Sequence, residues 1–185
     1  MTSENEAEAT SDAPKMRPTK MRRRTASRML AIQFLYQLDL NKSGLTQSQS
    51  SQTTNDGEIS AYLLRDLNDF ADHYAGDILG ALEVTAYDET HYQMLAANVI
   101  THLDDFNTQI EGALGEGWSL ERLAHIDKTL LRTGLAELRY LVHVPAKAVL
   151  SEYAGLCDVY QGDVAFVNAV LDRLARSARK LELAD

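Results

Sequence analysis

At 185 residues the chain is long enough for one well-buried domain, and its single cysteine excludes an internal disulfide framework and a multi-cysteine zinc site. It carries 27 acids against 18 Lys and Arg, for a net charge of −9, and no apolar run approaches the ~20 residues that span a bilayer. The acidic, polar start "MTSENEAEATSDAP" lacks both the apolar core of a signal peptide and the acid-poor composition of a transit peptide. The expectation is a cytoplasmic chain with a disordered tail over 1–19 and one domain over 20–183.

Against that acidic background, seven of the Lys and Arg residues fall between Lys15 and Arg28, with no acid among them. A run of this kind is either a solvated tail or an arm that grips phosphates. A helix is predicted to start near Thr25 or Ser27, with Leu30, Ala31, Phe34, Leu35 and Leu38 as its buried stripe. Cations at and before a helix N-terminus oppose the helix dipole, a conflict that a bound phosphate relieves.

The polar stretch 41–57, "NKSGLTQSQSSQTTNDG", reads as a flexible loop. Ile59, Leu63, Leu67, Phe70 and Tyr74 mark a second amphipathic helix ending near Gly76, and a further helical segment follows from Ile78. One long helix is predicted over about 89–114. From Asp56 to Glu116 there are thirteen acids and one base, Arg65, so nucleic acid has little reason to dock there.

In "GWSLERLAHIDKTLLRTGLAELRYL", Ser119 is the predicted N-cap, with Trp118 and Leu123 as a hydrophobic staple. Pro145 ends that helix and opens the next, over about 146–160. The last helix starts with Asp163 as N-cap. Its core stripe runs from Val164 to Leu181, while Phe166, Arg173, Arg176 and Lys180 share a neighbouring stripe. An aromatic set among cations suits single-stranded RNA, although the same spacing fits a Phe166 packed at the edge of the core. No β-alternation of any length occurs, so the fold class is all-α.

Catalytic chemistry has no foothold. The five histidines are scattered, "GALGEG" lacks the Lys-Ser/Thr of a phosphate loop, and the adjacent acids of "LDDF" do not face each other on a helix. The chain reads as no enzyme, with no metal and no cofactor.

Three segments in order, "RRRTASRMLAIQFLYQLDL", "GWSLERLAHIDKTLLRTGLAELRYL" with "VPAKAVLSEY", and "FVNAVLDRLAR", resemble the NusB family of bacterial transcription antitermination factors. The resemblance implies two packed three-helix bundles, here with an extra helical segment in the middle. It also implies a noncatalytic protein that binds the single-stranded boxA element of nascent ribosomal RNA together with NusE, a small-subunit ribosomal protein, and joins the elongating RNA polymerase. By the same resemblance Arg22, Arg23, Arg24 and Arg28 form an RNA-binding segment and Phe166 is an RNA-site aromatic, with Arg173 and Arg176 added from helical spacing. Tyr36, Glu121 and Asp127 are expected to face NusE. Alternatives are a helical subunit assisting a ribosomal RNA methyltransferase and a self-associating RNA-binding scaffold. The loop before "FVN", "YQGDVA", is shorter than the family's usual one.

Overall fold

Residues 17–41, 60–180 and 182–183 are described by the computed structural model, and every regular element among them is helical. The expected disordered tail (residues 1–16 of it), most of the expected flexible loop, and the expected core positions Ile59 and Leu181 lie outside the described residues.

Helix α1 spans Thr19–Leu40 and starts directly after Pro18, whose carbonyl accepts from the Met21 and Arg22 amides. The start therefore lies six residues before Thr25, and the arginines sit inside the helix rather than ahead of it. Thr25 and Ser27 do not cap; their hydroxyls bond back to the carbonyls of Met21 and Arg23 one turn earlier. Ser27 also donates to the Asp88 carbonyl (2.6 Å) and accepts from the Asp88 amide (2.9 Å), which pins α1 to the start of α3.

Helix α2, Ala61–Ala81, is capped by Ser60 and runs unbroken through Gly76. Helix α3, Glu89–Thr101, is capped by Asp88, and α4, Leu103–Ala113, follows after a break at His102. The single helix expected over 89–114 is thus two. A three-residue 3-10 turn at Leu120–Arg122 precedes α5, His125–Tyr140. Ser119 makes no side-chain cap, because the chain from Leu123 to Ala124 is extended before α5 begins. Helices α6, Ala146–Val159, and α7, Val164–Ala178, begin where Pro145 and Asp163 predicted, and Asp163 accepts from the Phe166 amide at 3.0 Å.

Helix α1 packs on α2, α3 and α5, and α5, α6 and α7 pack on one another, giving two trios with α4 lying against α5 and α7. Helix α5 is the shared element. Every residue from Thr129 to Leu138 is buried, including Arg132, Thr133 and Glu137. The fully enclosed side chains Leu30, Leu35, Tyr92, Phe106, Leu131 and Tyr153 join both trios into one core. Burial of large apolar side chains, at ~1.5–3 kcal/mol each, is what holds the two trios together.

Candidate nucleic-acid interface

The arginines of α1 divide by depth. Arg17 and Lys20 are exposed, and so is Arg23, which lends one guanidinium nitrogen to the Tyr87 carbonyl at 3.2 Å. Arg22 is half-buried. Its Nη1 donates to the carbonyls of Leu82 (2.7 Å) and Glu83 (2.8 Å) and so closes the end of α2, where a cation matches the helix dipole. Arg24 lies 3.6 Å from the Asp88 carboxylate.

Arg28 occupies a different world. Its side chain is 3% exposed, Nε and Nη2 donate to Glu137 at 2.8 and 2.5 Å, and Nη1 donates to Glu152 at 3.4 Å. It was expected at an RNA surface; it is instead a core cation. The reason is register: Arg28 falls three residues before Ala31 and seven before Leu35, on the apolar stripe. That spacing was the signal available in the sequence.

Glu137 is fully enclosed. Burial alone would raise its carboxyl, but the contacts with His91 and Arg28 outweigh this and lower it to about 2. His91 Nε2 is 3.2 Å from Glu137, poorly aligned for a hydrogen bond. Glu152, 7% exposed, also accepts from Arg17 (2.6 Å) and from the Thr25 hydroxyl (2.7 Å). A continuous polar cluster therefore links α1, α3, α5 and α6 beneath the exposed cations.

A second group lies along α7, from Phe166 in its first turn to Arg176 in its last. Phe166 is half-buried against the core, and its ring tilts on Trp118, with centroids 4.8 Å apart and planes at 34°. Trp118 is 53% exposed. The sequence placed it in a staple with Leu123; it is instead the outer member of an aromatic pair. Arg173 is exposed and donates to the Ala113 carbonyl at 2.5 Å, while Arg176 is exposed and paired with Asp172 one turn back (2.8 Å). This group and the α1 arginines share no hydrogen bond, ion pair or ring contact among the described residues.

The three residues expected to face a protein partner also separate. Tyr36 is half-buried and lines a cavity of about 300 Å³ with Ile32, Gln33, Ile126 and Tyr160. Glu121 is exposed on the 3-10 turn. Asp127 is 8% exposed, and its Oδ1 accepts from the Asp163 amide at 3.2 Å. Burial raises its carboxyl, partly offset by that amide. Asp127 is therefore a brace for the turn between α6 and α7 rather than an interfacial acid. A side chain at Gly162 would press within 2.6 Å of it, so the turn needs glycine there.

Among the described residues no group of three or more His, Cys, Asp or Glu is placed to hold a metal ion, and no helix is long and apolar enough to cross a membrane.

Comparison with known proteins agrees with this architecture. A model of the NusB family matches residues 25–176. The transcription antitermination protein NusB of Maricaulis maris is 30% identical over 175 residues, covering 94% of this chain and 97% of its own. That of Caulobacter vibrioides is 29% identical over 167 residues, covering 89% and 99%. The solved structure of Thermotoga maritima NusB superposes with a TM-score of 0.63 at 22% identity, over 88% of this chain and 97% of that one. Matched along nearly its whole described length in sequence and in fold, the chain belongs to the NusB family of transcription antitermination proteins, a family of factors rather than enzymes.

Proposed function

We propose that the chain acts as a single RNA-binding domain over 20–183 that takes up boxA of nascent ribosomal RNA together with NusE and joins the elongating RNA polymerase in the cytoplasm. The observation that carries this is the set of cations on the first turns of α1, Lys20 and Arg23 exposed and Arg22 and Arg24 half-buried, in a family member that is otherwise acidic. Arg22, Arg23 and Arg24 meet phosphates in this reading, with Arg17 and Lys20 beside them. Phe166 offers a stacking face, and Trp118 extends it. Arg173 and Arg176 add charge along α7. Arg28 and Asp127 are left out because both are buried. NusE would meet the surface around Tyr36 and Glu121.

Recognition here needs no bond-making. Cations release counterions from the backbone and supply salt-dependent affinity, while unstacked bases lie on aromatic rings and are read by hydrogen bonds. With three α1 arginines engaged, the log–log salt slope should be near −2, from about −0.7 per contact on a single strand. The test is binding of labelled boxA RNA against a scrambled sequence, with and without NusE, at two salt concentrations. Preference for boxA that strengthens with NusE is expected. Equal, weak and steeply salt-dependent binding to both RNAs would reduce the arginines to a generic polyanion arm.

A further inference from the structure

A groove of about 550 Å³ lies between the first turns of α1, the end of α2 and the outer side of α6. We propose that this groove is a nucleotide pocket that holds one splayed-out nucleotide of single-stranded RNA, an inference that rests on the RNA-binding function proposed above. Its volume is in the range of small-ligand sites and suits one nucleotide.

Its walls are aliphatic: Met29 on α1, Leu82 after α2, and Leu156 and Val159 on α6. Val159 is 60% exposed, an aliphatic face open to solvent beside a cavity. A base or ribose would cover it. At the mouth stand two cations with donors to spare. The Arg17 side chain is 55% exposed and engages Glu152 through Nη1. Arg22 uses Nε and Nη1 on backbone carbonyls, and Nη2 makes no hydrogen bond among the described residues. Helix α1, 22 residues long, opens just there with no side-chain cap and no acid in its first turn, so its positive end favours an anion.

The floor carries the recognition element. Glu152 is buried, fixed by Arg17, Thr25 and Arg28, and faces the groove as an acceptor. A carboxylate so held accepts from the exocyclic amine of a base, as acidic side chains do from cytosine N4. Glu83 is the exposed acid on the rim and opposes phosphate on its own side. Continuity with Lys20 and Arg23 on the same helix turns favours RNA over an apolar peptide, which would leave the cations unanswered.

Gly155 makes the pocket testable without harming the fold. It lines the groove on α6, and a Cβ built there meets nothing within 4 Å. Gly155→Leu should plug the groove while placing a better helix former in the helix, so the thermal midpoint should hold or rise. The experiment measures boxA and scrambled RNA binding by the full-length wild type, Gly155→Leu and Arg23→Ala, with and without NusE. Gly155→Leu is expected to lose about tenfold in boxA affinity, as one base is shut out from its aliphatic walls and its acceptor. A crosslink from a single 4-thiouridine in boxA to the peptide holding Gly155 and Val159 is expected in the wild type.

If Gly155→Leu binds boxA as the wild type does while Arg23→Ala weakens, the pocket is overturned and the RNA function stands. If Gly155→Leu keeps RNA but loses NusE, the groove is a protein site and the inference is wrong. If the wild type fails to prefer boxA, the function and the pocket fall together.

Discussion

Arg23 and Arg28 stand five residues apart on one helix, one exposed beside a carbonyl and one 3% exposed between two carboxylates. Removing a single partner of a buried ion pair leaves the other charge stranded, at roughly 3–5 kcal/mol. Arg28→Ala should therefore cost about that much in urea unfolding. Arg23→Ala should leave the urea midpoint unchanged, within about 0.5 kcal/mol for an exposed site, yet weaken RNA binding and flatten its salt slope by about 0.7. If the two variants exchange these behaviours, the division of the arginines by depth is wrong. Glu137, the partner of Arg28, gives the cluster a pH signature. Its folded carboxyl is held at about 2 against an ordinary 4.5, so the stabilisation is complete above about 4.5 and is lost as pH falls through about 2. Asp127 works in the opposite direction, since burial raises its carboxyl and disfavours its charged form. In Glu137→Gln, unfolding midpoints at pH 6, 4 and 3 should fall less steeply with acid than in the wild type, from a lower starting value.

Among the elements, the starts of α6 and α7 were legible in the sequence, whereas the start of α1 behind Pro18 was not. Pro145 and Asp163 fix the starts of α6 and α7 because each acts on its own turn. The break at His102 carries no Gly or Pro, and the apolar spacing passes through it, so only packing against α5 and α7 reveals it. Helix α5 misled in another way. Its leucines recur at helical spacing, yet the helix is enclosed from Thr129 to Leu138, and its charged residues Arg132 and Glu137 find their partners on helices distant in sequence. Glu137 and Glu152, which organise the arginine cluster, were invisible for the same reason. The Asp163 cap carries its own prediction. Asp163→Ala should cost about 1 kcal/mol in stability, the usual worth of such a cap. Because the lost bond is to the Phe166 amide, the first turn of α7 should loosen and the Phe166 ring should shift on Trp118. Trp118 is the chain's only tryptophan, so its fluorescence should change in this variant; an unaltered spectrum would detach the cap from the aromatic pair.

Across the whole molecule, the charge is segregated. Cations gather on the first turns of α1, while the outer side of α2 exposes Asp66, Asp69, Asp72 and Asp77 with only Arg65 against them. An RNA strand approaching α1 thus meets local attraction inside a molecule of net charge −9. The two forces respond differently to salt. Contacts at α1 act at bonding distance, whereas repulsion from α2 acts through solvent and dies beyond a Debye length, about 30 Å at 0.01 M and about 10 Å at 0.1 M. Neutralising the α2 acids should therefore matter only in dilute buffer. The triple variant Asp66→Asn, Asp69→Asn, Asp77→Asn should bind boxA several-fold tighter than the wild type at 10 mM salt, mainly through faster association. The two affinities should converge by roughly 0.3 M, where the Debye length falls to only several ångströms. An advantage that persists at high salt would mean that α2 touches the RNA directly, and the interface would then extend beyond α1 and α7.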